Sequence, residues 1–321
     1  PIWAVDTGGT DHKDVELYAE IARRVAAGGN YYQAAIPLQK EWNFPTIPGA
    51  TVREPFEAWT IAMLGPSGAR ILLLGLLVAA LLTMVIRLEG STRNRFEWYG
   101  SMLLLVVAAT AFVAPEAVYL HECWALTFIL LSLATRTDRR WWPAVVFGLA
   151  AVLFRETALV YPATMAVLAI VQRRRAEVLG WVTGGVAWVG FYVWHLGQVA
   201  AAQVPDALTA PSWVAIGGWP FIVSSVRFST ALGVGPYWLA ALLVPLALFG
   251  WLFAKGQLGL RVGLTAIAFA ATFIVVGRSI NLYWGLLYAG ALLPGLAFAP
   301  RGIALTVRAL RRARAEDSLS E

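Results

Sequence analysis

Carboxylates, guanidinium groups and one imidazole recur at the breaks between long apolar runs of this chain. Asp14 and Glu16 open the stretch DHKDVELYAEIARRVAAGGNYY (Asp11–Tyr32), the most charged and helix-like part of the first quarter. Arg53-Glu54 follows in a proline-rich loop, His121-Glu122 and Arg155-Glu156 sit at two later breaks, and Arg278 with Asn281 at the last. A carboxylate can take a proton from an attacking hydroxyl. Guanidinium groups can hold an oxyanion through paired hydrogen bonds. Glu16, His121 and Glu122 are of the types that bind a divalent ion. Each residue also has a purely structural reading. Asp14 could cap a helix, Arg155-Glu156 could be an ion pair at a helix end, His121-Glu122 could be a polar helix start, and Arg278 could snorkel to headgroups.

The elements that must position these groups are membrane helices. Apolar residues make up 59% and charged residues 14% of the 321, where a soluble domain carries roughly a quarter charged. The fifteen Trp suit interfacial belts. A single cysteine, Cys123, excludes an intrachain disulfide framework and a cysteine metal cluster. No glycine-rich phosphate loop, zinc signature or G-x-S-x-G elbow is present. The net charge of +6 comes from arginines in short loops, not from a nucleic-acid surface.

An amphipathic helix is predicted from Val15 to the Gly28-Gly29 stop, with Val15, Tyr18, Ile21, Ala22 and Val25 on one side and a Glu20–Arg24 pair on the other. Asn43–Pro55 reads as an irregular loop, and Phe56–Leu64 as a short helix before Gly65-Pro66. Nine spans follow: Ala69–Leu88, Trp98–Ala114, Tyr119–Ala134, two short helices within Trp141–Val171 that turn at Arg155-Glu156, Glu177–Leu196, Tyr237–Ala254, Val262–Val276 and Trp284–Ala299. Gln198–Gly235 reads as loop with an interfacial helix. The chain thus divides into a non-cytoplasmic loop with an amphipathic helix (1–68), an all-α polytopic bundle (69–299) and a basic cytoplasmic tail (300–321). With the first segment outside, sixteen Lys and Arg fall in inside loops and tail against three in the outside turns downstream of the first span. This orientation sets the N-terminal loop outside and the C-terminus in the cytoplasm, and predicts one further span before Pro1. It also puts the polar residues named above on one face, where costly membrane-depth charges usually line a cavity.

The run Asp14-V-E-L-Tyr18-A-E-I-A-R-R, then G-x-Y-Y, then Arg53-E-Pro55, resembles the first external loop of GT-C glycosyltransferases. It is similar to that of bacterial lipid A aminoarabinose transferases and family 39-like enzymes, which read D-E-x-x-Y-A-E-I-A and later a basic-x-proline motif. The match covers about fifty residues, and Val15 stands where the family often has a second acid. The resemblance implies a GT-C-like helix bundle of a bacterial inner membrane with a non-cytoplasmic active site. It implies a polyprenyl-phosphate sugar donor and, on Asp14, the catalytic base. Tyr18, Arg53 and Pro55 fall on the other motif positions. Arg53, Arg155 and Arg278 are then candidates for the lipid phosphate, with Tyr18, His121, Glu122, Glu156 and Asn281 as further substrate contacts, and a divalent metal as a possible cofactor. The acceptor, whether glycan, lipid or protein, is open, and no nucleic acid is implied. A polar-lipid transporter or flippase, and an accessory subunit of a membrane complex with a protein partner, are the alternatives.

Overall fold

The computed structural model describes residues 13–212 and 215–320. Asp11 and His12, part of the stretch read above as one charged segment, lie outside the described residues. Everything described is helix and connecting loop, apart from one isolated bridge between Ile47 and Thr209.

Thirteen α-helices run in order: α1 Asp14–Ala26, α2 Tyr31–Glu41, α3 Phe56–Leu88, α4 Arg95–Ala108, α5 His121–Thr135, α6 Trp142–Phe154, α7 Val160–Val171, α8 Arg175–Ala201, α9 Gly218–Ser229, α10 Tyr237–Trp251, α11 Gly256–Val276, α12 Ala289–Leu292 and α13 Ala299–Ser320. Among the described residues, five stretches are long and apolar enough to cross a membrane: Gly49–Ser91, Arg95–Val113, Arg175–Ala201, Gly256–Val276 and Ala289–Asp317. Four shorter apolar helices, His121–Thr135, Trp142–Phe154, Glu156–Val171 and Tyr237–Trp251, complete the bundle. The all-α multi-pass expectation therefore holds, while nine full-length spans are not seen. The short helices stand among the longer ones, and α5 is buried along almost its whole length, so it needs no lipid-facing stripe.

Several boundaries differ from the sequence reading for local reasons. The predicted break at Gly65-Pro66 is a kink inside α3, because Gly65 takes φ +71° and the helix resumes at once. The last predicted span, Trp284–Ala299, is irregular. The 3-10 segments Ser279–Leu287 and Leu293–Phe298 flank the four-residue α12. This stretch is buried by its neighbours: the Gly295 backbone presses on α10 so closely that a Cβ at Gly250 would meet the Gly295 carbonyl. The basic tail continues as helix α13, exposed from Ile303 to Asp317.

One end of the bundle is arginine-rich and tied shut. Arg136 holds Glu177 through Nε at 3.2 Å and Nη2 at 2.7 Å. Arg261 approaches the same carboxylate at 3.6 Å, Arg87 donates to the Arg136 carbonyl at 3.0 Å, and Arg301 pairs with Glu97 at 3.1 Å. The opposite end carries α1, α2 and the proline loop, and it is open.

Candidate functional site

Helix α1 begins at Asp14 because Glu16 reaches back to accept from the Lys13 backbone N–H at 3.2 Å. Lys13 is therefore the cap, and Asp14 is the first residue inside the helix. Leu17, Ile21 and Ala22 are buried beneath α1, and Glu20 bonds Arg23 and Arg24 on its outer side. Asp14 and Tyr18, four residues apart, share one face. Both line a cavity of about 440 Å³ together with Gln39, Arg53, Arg278, Asn281, Tyr283 and Trp284. Its outer wall is made where two loops pair: the Thr46 and Ile47 N–H groups donate to the Leu208 carbonyl at 3.0 and 3.1 Å, and Ala210 N–H returns to Ile47 at 2.6 Å.

The carboxylate of Asp14 has no hydrogen-bond or ion-pair partner among the described residues. Burial holds it above the ordinary value of 3.8, opposed by the Arg53 guanidinium and reinforced by the Glu122 carboxylate. A general base must be ionised to act. Activity is therefore expected to fall as pH drops through this raised value, with an acid limb in kcat/KM lying above that of a free carboxylate. A limb at or below 3.8 would exclude Asp14 as the titrating base.

At the inner end of the cavity lies a neck of two arginines and two glutamates. Arg53 donates from Nε to the Tyr18 hydroxyl at 3.3 Å, from Nη1 to Glu156 at 3.0 Å and from Nη2 to the Tyr283 hydroxyl at 3.4 Å. Arg155, 0% exposed, donates from Nε to Glu122 at 2.5 Å and from Nη1 to the same Glu156 oxygen. Its guanidinium carbon lies 5.9 Å from the ring centroid of Trp284. The break between α6 and α7 makes this possible, since Arg155 is extended (φ −153°, ψ 108°) and turns its side chain inward. His121 pairs through Nε2 with Glu57 at 2.8 Å and meets Tyr18 edge to face at 4.6 Å.

A second space opens from the neck. An apolar groove of about 860 Å³ runs between α7 and α11, walled by Val160, Ala163, Val167 and Val171 on one side and Leu264, Ala268, Thr272 and Val276 on the other. Thr164 and Thr272 turn their hydroxyls to carbonyls of their own helices at 2.7 and 2.8 Å, so they add little polarity to it. Glu156 and Trp284 stand at its head, and Trp284 lines both the groove and the polar cavity.

Of the residues singled out in the sequence, Asp14, Tyr18, Arg53, Arg278 and Asn281 line the cavity, while Arg53, Arg155, Glu122 and Glu156 build the neck. Arg278 takes no part in the neck; it donates to the Pro211 carbonyl at 3.5 Å on the outer wall. The set Glu16, His121 and Glu122 is not brought together. Glu16 is exposed at the start of α1, His121 is engaged by Glu57 and Glu122 by Arg155. Among the described residues no group of three or more His, Cys, Asp or Glu side chains is placed to hold a metal ion.

The sequence reading missed the residues that hold the Arg53 segment. Tyr31 donates to the Arg53 carbonyl at 2.7 Å. His195 Nε2 lies 3.2 Å from the Val52 carbonyl and its Nδ1 3.1 Å from the Tyr32 hydroxyl. The carbonyl can only accept, so Nε2 carries the proton and Nδ1 receives the Tyr32 bond. One face of α8 also offers Trp188, seven residues before His195, whose N–H donates to Glu54 at 3.0 Å. The seven-residue spacing of Trp188 and His195 was the available signal. Comparison with protein-family models, with curated proteins and with solved structures returned no match.

Proposed function

We propose that this chain is a membrane glycosyltransferase that moves a sugar from a polyprenyl-phosphate donor to an acceptor hydroxyl in the polar cavity. The observation that carries this reading is the meeting of three environments at Trp284: an apolar groove, a buried arginine pair and a polar cavity whose Asp14 carboxylate is paired with none of the described residues. An amphiphile with one long chain and an anionic head fits that order. The groove extends over Glu156–Val171, about 22 Å at 1.5 Å per residue, which is most of a hydrocarbon core of about 30 Å. Arg53 and Arg155 would face the phosphate as it leaves with the growing charge, and Asp14 would take the acceptor proton. In this reading the open end is non-cytoplasmic, the C-terminus is cytoplasmic and the membrane is a bacterial inner membrane. The acceptor carries a hydroxyl; its wider class, and any metal or protein partner, is left to experiment. The tied arginine-rich end favours access from one side over a transport path through the bundle.

The groove gives a direct test. In lipid nanodiscs the protein is expected to retain added farnesyl phosphate in native mass spectra, and Ala268→Trp, which fills the groove, is expected to lose it by tenfold or more while keeping its melting temperature. Equal retention by both proteins would remove the groove from the reading.

A further inference from the structure

Glu156 has a position that neither a helix-end ion pair nor a substrate contact accounts for. One of its oxygens, Oε1, bridges two guanidinium groups from different elements, Arg53 at 3.0 Å and Arg155. This is the arrangement that a phosphate oxygen adopts between two arginines. Its two chain neighbours carry buried polar groups that bond to none of the described residues, Arg155 Nη2 and Thr157 Oγ1. Native folds rarely leave such donors unpaired. Glu156 also stands at the head of the apolar groove, where the head of a single-chain amphiphile would come to rest.

We propose that Glu156 is a placeholder for the ligand's oxyanion, occupying the arginine pair when the groove is empty and yielding it when an anionic lipid head arrives. This rests on the reading above that the groove takes a prenyl phosphate. Three features permit the exchange. Glu156 is the first residue of the 3-10 turn Glu156–Leu159, following the extended Arg155, so its side chain can leave without unwinding α6 or α7. Arg155 keeps Glu122 at 2.5 Å throughout and is never stranded as a lone buried charge. Arg155 Nη2 and Thr157 supply the extra donors that an anion with three oxygens needs and a carboxylate does not. Like charges at this distance exclude one another, so anion and carboxylate compete for the same two guanidiniums. Glu156 thereby sets the threshold for loading: only an anion that outbids a tethered carboxylate is held.

The test compares wild type with Glu156→Gln in nanodiscs, using farnesyl phosphate, farnesol and inorganic phosphate as probes. Glu156→Gln is expected to bind farnesyl phosphate about tenfold more tightly, or 1.4 kcal/mol, with farnesol unchanged. Glu156→Asp, whose shorter side chain cannot span both arginines equally, is expected to show a smaller gain and serves if the Gln variant does not fold. Farnesyl phosphate binding that is equal or weaker in a folded variant, with inorganic phosphate likewise no tighter, overturns the placeholder and makes the carboxylate part of the ligand's own site. A gain confined to inorganic phosphate keeps the placeholder and removes the lipid. Farnesyl phosphate that binds wild type and variants no better than farnesol overturns the prenyl-phosphate reading, and the placeholder falls with it only if inorganic phosphate also shows no gain.

Discussion

Replacing Asp14 by Asn is expected to lower sugar transfer by about 10²–10⁴-fold, the range over which a positioned proton acceptor contributes. The substitution keeps the shape of the side chain and removes only its ability to accept the proton. None of the described residues pairs with the Asp14 carboxylate, so the substitution breaks no hydrogen bond to them. Burial already disfavours its charged form, and neutralising it relieves that cost. Melting temperature should therefore be no lower than that of wild type and farnesyl phosphate binding should match it, while single-turnover transfer from a prenyl-phosphate sugar collapses. Transfer at the wild-type rate would remove Asp14 as base and, with it, the main chemical content of the resemblance.

Arg155→Met is expected to produce the largest loss of stability. Arg155 is fully buried and donates to Glu122, besides sharing Glu156 with Arg53. Met fills a similar volume without a charge, so the cost is electrostatic. Removing one partner of a buried ion pair typically costs about 3–5 kcal/mol, because the other charge stays in a low-dielectric site unpaired. Thermal melting in detergent measures this. The double variant Arg155→Met/Glu122→Gln is expected to recover part of the loss, since it removes the stranded carboxylate as well. Additive losses in the double variant would mean that the pair's charges are not what the fold depends on. Prenyl-phosphate binding should remain absent in both, because the guanidinium is gone either way.

Much of this was legible in the sequence because it depends on neighbours along the chain. The 3.6-residue pattern of Val15, Ile21 and Ala22 gave α1 to within a residue or two of its ends. The cost of two charges in the middle of an apolar run located the turn at Arg155-Glu156. The loop-charge count put Arg53, Arg155, Glu122 and Glu156 on one face, together with Asp14, His121, Arg278 and Asn281, without setting those four apart. What it could not give was pairing. Glu57 appeared as an ordinary polar residue of a short helix, and only the fold brings His121 within 2.8 Å of it. Tyr31 and Tyr32 stood in a stretch with no clear period, because α2 is buried on nearly all sides and carries Pro37 inside it. His195 was one imidazole on a lipid-type helix, and its partners lie 143 and 163 residues away. Trp284–Ala299 is apolar enough to read as a regular span, yet its shape follows from close backbone contact with α10, which composition does not encode.

The neck has a consequence for how the protein is made. Its four charges and two tyrosines come from α1, the proline loop, α5, the α6–α7 break and the Ser279–Leu287 segment. The bond from Arg53 to Tyr283 spans 230 residues. Contacts of such separation form after local ones, because the loop they close is entropically costly. During synthesis Arg53 emerges long before Tyr283, so the polar neck stays incomplete until almost the whole bundle has been inserted. The arrangement that would hold an anion is therefore absent from every N-terminal intermediate. Prenyl-phosphate binding would report complete assembly of the chain as well as the presence of its individual residues.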